Sequence, residues 1–418
     1  MQSPKELPRI PPDPAVNAIS NLSDAPNVEP EFQDEPFEES LLSSLDLTNW
    51  TNGDNLPELY AHLEAEVRDA VQDEDRMREV VRRDVFARIP SGKRAAPDAG
   101  LHAFTVDHLA KAHRGLLFNG AVEACDGTVV VHDTLPLTIT QIGVCTVRYN
   151  GATGSYAHRH YRRDLRSRSG DPIEEVMALL ENRKKRDAVG VDGNYVSSGD
   201  AMSQLARRGV MAYAERAILL EKCEAPWRMG HGHPTTYELM TGHWAHRPDM
   251  VDAGLSVMRR LVLEHKKWVF VPSAPRKREL LTIGNALRPL EYLLMMTAED
   301  DLNHLVEIGH ARGDARKKMD DFAHEVGSKI VVGMFRVSEA APASIFYAHA
   351  EHAHTAALIA MADSALQLHR GFPMLIDLAD RLCAATFDTG SFTQSVQAAY
   401  AGSGAPFRFL GERETRQK

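Results

Sequence analysis

Two acidic residues stand where their surroundings could turn them to chemistry. Asp126 lies in Glu123-Ala-Cys-Asp-Gly-Thr-Val-Val-Val131, where an Asp-Gly dipeptide opens an apolar, β-branched run. Glu215 lies in Ala214-Glu-Arg-Ala217, inside a helical stretch running from about Ser198 to Cys223. In that stretch Met202, Leu205, Val210, Tyr213, Ile218 and Leu219 recur at helical spacing. The small neighbours of Glu215 leave room for an inward-facing carboxylate. An Asp on a strand and a Glu on a packed helix are rigid enough to converge on a metal ion. Each also has a plainer reading. Asp-Gly is a favoured hairpin-turn dipeptide, and an exposed Glu215 would pair with Arg216.

Other chemistries lack their signatures. The sequence contains no P-loop, no G-x-G-x-x-G and no G-x-S-x-G. The four cysteines, Cys125, Cys145, Cys223 and Cys383, form no C-x-x-C pair, which argues against a zinc site or disulfide framework. His231, His233, His243, His246 and His265 match neither H-E-x-x-H nor a finger spacing. No run of about 18 apolar residues occurs, so no membrane span is expected. The opening MQSPKELPRIPPDPA lacks the apolar stretch of a secretory signal. A cytoplasmic protein in a reducing compartment is expected.

Charge is unevenly placed. Ile10 to Val67 holds 13 Asp and Glu and no Lys or Arg. Removing these from the net charge of −10 leaves about +3 on the rest of the 418-residue chain. A mildly basic body suits a polyanion. The densest basic-aromatic segment is Tyr156–Arg168, with Arg159, Arg162, Arg163, Arg166 and Arg168 among His158, His160 and Tyr161. Arginines contact phosphates and tyrosines stack on bases. Arg276, Lys277 and Arg278 form a second basic group.

The elements that must position these residues read as follows. Residues 1–54 are expected to be a disordered acidic arm. Residues 55–110 are expected to be a helical segment, with periodicity over Leu56–Ile89 and a second helix from Phe104. Strands are expected at Thr128–Val131 and Ile139–Tyr149. Tyr237–Gly242 reads as a short strand, Asp252–His265 as a helix and Trp268–Ser273 as a buried strand. Residues 275–329 read as charged and helical. Strands are then expected at Lys329–Val337 and Ile345–His349, the two antiparallel, followed by a helix over His354–His369. The last helix is expected to start at Gly371-Phe-Pro. This order gives an α/β fold with a mixed central sheet and flanking helices.

The order of motifs resembles the NurA nuclease family. The features are Asp126-Gly127, Glu215 about ninety residues on, Leu239-Met-Thr-Gly242, Val271-Pro-Ser273, and Gly371-Phe-Pro-x-x-Ile-x-x-Ala-Asp380. The resemblance covers roughly residues 110–400, and implies an RNase H-like nuclease domain over residues 111–405. It implies Mn²⁺- or Mg²⁺-dependent hydrolysis of DNA phosphodiesters. It also implies a HerA-like hexameric ATPase as partner, a homodimer, and a place in DNA end processing and repair or in antiviral defence. Asp126 would be the strand ligand and Glu215 the helix ligand of the metal. The family usually carries Asp-Gly at the end of the next strand, where this chain has Thr241-Gly242. Glu238 and Asp380 are further candidate carboxylates. An alternative is a weakened scaffold that binds DNA and regulates the ATPase.

The acidic arm is the segment with the clearest separate test. Deleting residues 1–54 should change complex formation with the ATPase, measured by gel filtration, or DNA affinity, measured by fluorescence anisotropy. If neither moves, the arm is only a tail.

Overall fold

The computed structural model describes residues 45–50, 56–134, 137–162, 177, 180, 188–189, 195–196, 204–241, 248–273, 278–308, 313–387 and 389–406. Most of the acidic arm and Gly242, His243, His246, Arg163, Arg166, Arg168, Arg276 and Lys277 lie outside these residues. Contacts divide the chain into residues 1–73 and 74–418. In the first unit, Asp46 caps a short 3-10 turn at Leu47–Asn49. Helix α1 (Leu56–Asp84) then begins, with Leu59, Leu63 and Val67 exposed. Everything below concerns the second unit.

Among the described residues one nine-stranded mixed sheet forms the centre. Its strands are β1 (Ala95–Ala103), β2 (Val122–Asp133), β3 (Thr138–Val147) and β4 (Thr153–Arg162). After the two-residue strands β5 (Ala188–Val189) and β6 (Tyr195–Val196), which pair apart from the sheet, come β7 (Trp227–His231) and β8 (Trp268–Val271). The last three are β9 (Glu291–Thr297), β10 (Ile330–Phe335) and β11 (Ser344–His349). The order across the sheet is β1-β9-β10-β11-β8-β7-β2-β3-β4. β2, β3 and β4 form an antiparallel meander, whereas β7 is parallel to both β2 and β8.

Helices cover both faces, as a sheet with two apolar faces requires. On one face lie α3 (Gln204–Glu221), α4 (Tyr237–Thr241), α5 (Pro248–Arg259), α6 (Arg278–Asn285), α7 (Glu299–Ile308) and α8 (Gly313–Gly327). Their apolar residues pack on Cys125, Trp268, Phe270, Leu293 and Met334. The other face carries α2 (Val106–Ala112), α9 (Ala353–Ser364) and α10 (Met374–Phe387), packed on Ala124, Met229, Val269 and Phe346. Neighbouring residues of a strand thus enter opposite cores, as the two-residue period of a strand dictates. A final helix, α11 (Thr389–Gly402), buries Phe392 and Val396 against Val130 and Ile139.

Three expectations are corrected. Tyr237–Thr241 is helical, not a strand. Leu239 and Met240 are both fully buried although adjacent in sequence, and the Met240 N–H donates to Thr236 O, a helical turn. The strand that follows α3 is instead β7, ending at His231-Gly232. Its sequence Trp-Arg-Met-Gly-His carries too many polar and small residues to announce a strand. The stretch 275–329 is not wholly helical: Glu291-Tyr-Leu-Leu-Met-Met-Thr297 forms β9 between β1 and β10. A short apolar run is ambiguous between helix and strand, and pairing on both sides decides it. The helix after Gly371-Phe-Pro is followed by α11, so it is not the last. β1 went unread because Pro97, Asp98 and Gly100 break its pattern, which an edge strand with a register shift tolerates.

One buried acid anchors α10. Asp363, with no exposed surface, accepts from the Leu375 N–H at 2.8 Å and from the Tyr149 hydroxyl at 2.6 Å. It therefore ties the start of α10 to α9 and to the turn after β3. Asp363→Ala should cost roughly 2–4 kcal/mol of unfolding free energy, because both donors lose their acceptor. Asp363→Asn should cost clearly less, and urea unfolding would compare the two.

Candidate active site

The site begins where two parallel strands part. The β2–β7 ladder pairs Val122 with Trp227 and ends at Cys125 with Gly230. The next residues, Asp126 and His231, leave the ladder on the same face of the sheet. β2 continues along β3, with Asp126 opposite Cys145. The β7 chain turns away at Gly232, whose φ of +82° suits glycine. A crevice beyond the carboxyl ends of parallel strands is where open α/β sheets place ligands.

The crevice is a cleft of about 780 Å³. Its lining includes Asp126, Glu215, Glu238, Asp377 and Asp380, with Arg208, Arg370, His231 and His369 among the basic groups. All four carboxylates proposed from sequence, Asp126, Glu215, Glu238 and Asp380, therefore meet in one cavity. They arrive from β2, α3, α4 and α10. Asp377, one helical turn before Asp380, is a fifth that sequence reasoning missed. Its spacing of three from Asp380 on an amphipathic helix was the available signal.

Gly127 explains how Glu215 reaches the cleft from the opposite face. A Cβ at position 127 would stand 2.6 Å from Glu215 Oε1 and 2.8 Å from Met211 Cγ. The missing side chain is the space that the carboxylate fills. Asp-Gly here lies inside a strand rather than at a turn, so the hairpin reading of the dipeptide does not hold. Glycine serves the close approach of helix to strand.

Arg216 holds the next layer. Its guanidinium is buried and donates to Ala212 O (2.8 Å), Pro234 O (2.8 Å) and His233 O. It lies 3.4 Å from Glu215 Oε2 and over the Phe270 ring. The pairing of Glu215 with Arg216 is thus real, yet it occurs inside the protein. Arg216 fixes the turn after β7 to α3. His233, kept neutral by burial with its pKa down to about 4, accepts from the Thr235 N–H at 3.0 Å.

The carboxylates are electrostatically stressed. Burial pushes the Asp126 carboxyl up to about 6, with Asp380 and Asp377 adding to the rise and His231 opposing it. Burial pushes Glu215 up to about 7; Arg216 opposes this, while Asp126 and Glu238 add to it. Glu238 is paired with the more exposed Arg208 at 2.7 Å, and Asp377 with Arg370 and Gln367. The floor is thus rich in carboxylates, with one buried cation, Arg216, beside Glu215, while Arg208 and Arg370 are more exposed.

Such a donor set fits a hard divalent cation. Among the described residues no three His, Cys, Asp or Glu side chains form a ready-made metal cage. A magnesium-like ion does not need one, since it usually takes one or two carboxylates and keeps several waters. Asp126 and Glu215 are the two that burial most strongly pushes towards the protonated form, which a bound cation would reverse.

The basic residues expected to grip nucleic acid are partly placed. Arg159 is exposed on the edge strand β4, where its Nε donates to Gln141 Oε1 at 2.6 Å. Arg162 ends the same strand, and Arg278 is exposed at the start of α6.

No protein-family model matches the chain, and no curated protein matches it in sequence. Solved structures of NurA are similar to it over most of its length. The NurA nuclease from Sulfolobus solfataricus shares 8% identity over 85% of this chain and 99% of its own, with a TM-score of 0.41. NurA bound to dAMP and manganese shares 9% over 84% and 98%, with a TM-score of 0.40. NurA with manganese shares 10% over 81% and 97%, with a TM-score of 0.37.

The strained carboxylates have a measurable cost. Their folded-state pKa values are raised, so the folded protein holds protons that the unfolded chain has released. Their contribution to stability therefore falls as pH rises from about 4 to about 7. Without metal, Asp126→Asn should raise the unfolding free energy at pH 8 by about 1–3 kcal/mol. The gain should vanish near pH 4. Urea unfolding at both pH values checks the sign.

Proposed function

We propose that this cleft hydrolyses DNA phosphodiesters with the help of a divalent cation. The observation that carries the reading is the convergence of desolvated carboxylates from several separate elements where β2 and β7 part. A shared substrate anion alone would not select such a floor, because carboxylates repel phosphate. A cation between the two reverses that repulsion.

Asp126 and Glu215 would hold the cation, Mn²⁺ or Mg²⁺, which polarises the phosphoryl oxygen and makes bound water a better nucleophile. Glu238, held by Arg208, and Asp380 add negative potential that keeps the cation in the cleft. Arg370 and His369 lie on the α10 side of the cleft, where they can meet phosphate oxygens. Water is the nucleophile, so the absence of a serine or cysteine nucleophile motif is no obstacle. Arg159, Arg162 and Arg278 would hold flanking backbone without reading sequence.

The strand order β4-β3-β2-β7-β8, with an antiparallel meander joined to two parallel strands, supports an RNase H-like core for this site. The reading extends to a homodimer working with a HerA-like ATPase in DNA end processing or defence, on the strength of the motif order in the sequence. The scaffold alternative now turns on His231 rather than Thr241, because the strand after α3 ends in His231-Gly232. Thr241 lies in α4, so it is not a strand-end ligand replaced by a weak donor.

The test is cleavage of linear duplex and single-stranded DNA with Mn²⁺ or Mg²⁺, with and without the ATPase. Metal-dependent cleavage should occur, and Asp126→Ala and Glu215→Ala should each reduce it at least about 100-fold. Retained cleavage in both variants would place the chemistry elsewhere.

A further inference from the structure

His231 is the first β7 residue beyond the ladder and faces the cleft beside Asp126. Its Nδ1 lies 3.8 Å from Asp126 Oδ2, and its Nε2 lies 3.2 Å from Ser273 Oγ. The ring meets the Phe372 ring edge-on at 5.8 Å. Its side chain is 38% exposed, so an ion arriving from solvent can reach it.

The two nitrogens are not equivalent. At 3.8 Å, Nδ1 is beyond hydrogen-bond reach of the carboxylate. Nε2 is within reach of the Ser273 hydroxyl. The tautomer that uses both facts carries its proton on Nε2 and donates it to Ser273. That leaves the Nδ1 lone pair facing the carboxylate oxygen. Two lone-pair atoms at this separation are a poor arrangement by themselves. An ion about 2.1 Å from each can span up to about 4.2 Å. A histidine that binds metal with one nitrogen commonly donates its other N–H to a fixed partner, and Ser273 is such a partner. Phe372 limits the ring's swing.

We infer that His231 supplies a nitrogen ligand beside Asp126, and so selects a first-row transition ion over Mg²⁺ or Ca²⁺ in this cleft. The inference rests on the reading of the cleft as a divalent-cation site and deepens it. Imidazole suits Fe, Ni, Cu and Zn ions best; Mn²⁺ lies at the weak end of that series, yet as a transition ion it takes a nitrogen ligand more readily than Mg²⁺ or Ca²⁺. His231 joins Asp126 and Glu215 as a protein ligand at this position; water fills the rest. Ser273 acts through His231, as a positioning residue.

The experiment uses the full chain, metal-stripped, with Mn²⁺ as probe. Pulsed electron paramagnetic resonance on the wild type should show nitrogen hyperfine coupling to bound Mn²⁺. His231→Asp should abolish that coupling while still binding the ion. Calorimetry should show the wild type preferring Mn²⁺ to Mg²⁺. His231→Asp should narrow that preference by about 10- to 100-fold, and Ser273→Ala should weaken Mn²⁺ binding without removing it. Mn²⁺ bound in an Asp126-dependent way but without nitrogen coupling would overturn this inference and leave the cleft reading intact. Mn²⁺ binding unchanged in Asp126→Ala would overturn the cleft reading itself. The wild-type spectrum needs no substitution, so a misfolded variant cannot mask the answer.

Discussion

Asp126 and Glu215 are drawn out of water from opposite faces of one sheet, and neighbouring carboxylates raise the proton affinity of both: Asp380 and Asp377 that of Asp126, Asp126 and Glu238 that of Glu215. Two such groups do not come together without being held. The backbone of β2 is held by ten pairs to β3 on one side and by β7 on the other, up to the point where the ladder stops. Glycine at 127 leaves the space that lets α3 bring Glu215 over the strand. Arg216 locks α3 to the turn after β7 by hydrogen bonds to two backbone carbonyls there, those of His233 and Pro234. Asp363 fastens the start of α10, which delivers Asp377 and Asp380. The scaffold is therefore arranged to resist a repulsion concentrated at one place. A fold optimised for stability alone would not place its acids this way.

That arrangement also sets cations of different exposure around the acids. Four of the acids have a cationic neighbour: Glu215 the buried Arg216, Asp126 the half-exposed His231, Glu238 and Asp377 the more exposed Arg208 and Arg370. An anionic polymer approaching the cleft meets cations first and the acidic floor afterwards. The same division explains why a net charge of −10 is a poor guide to what the body binds. Charge position, not total, sets the local field.

Much of this was legible in the residues, though unevenly. Asp126 and Glu215 stood out because each is a charged residue in an apolar or small-residue setting, which is where burial reveals itself in one dimension. The long helices and β10–β11 followed from periodicity. Tyr237–Thr241 was misread because a five-residue apolar segment has no period to measure. β7 escaped because a buried parallel strand can include Arg228 when its guanidinium finds the Leu219 and Cys223 carbonyls, at 2.5 and 2.6 Å. The error carried a consequence, since it placed the strand-end ligand at Thr241 and hid His231-Gly232. The role of Gly127 could not be read at all from sequence. It depends on a helix ninety residues away.

Manganese paramagnetic relaxation of backbone amide signals would test the central claim most directly. At substoichiometric Mn²⁺, signals from residues 125–127, 212–216 and 230–232 should broaden first, while those of α8 stay sharp. The rival binder is the acidic arm, with its 13 carboxylates between Ile10 and Val67. Broadening confined to that arm, with the β2–β7 gap unaffected, would contradict the account.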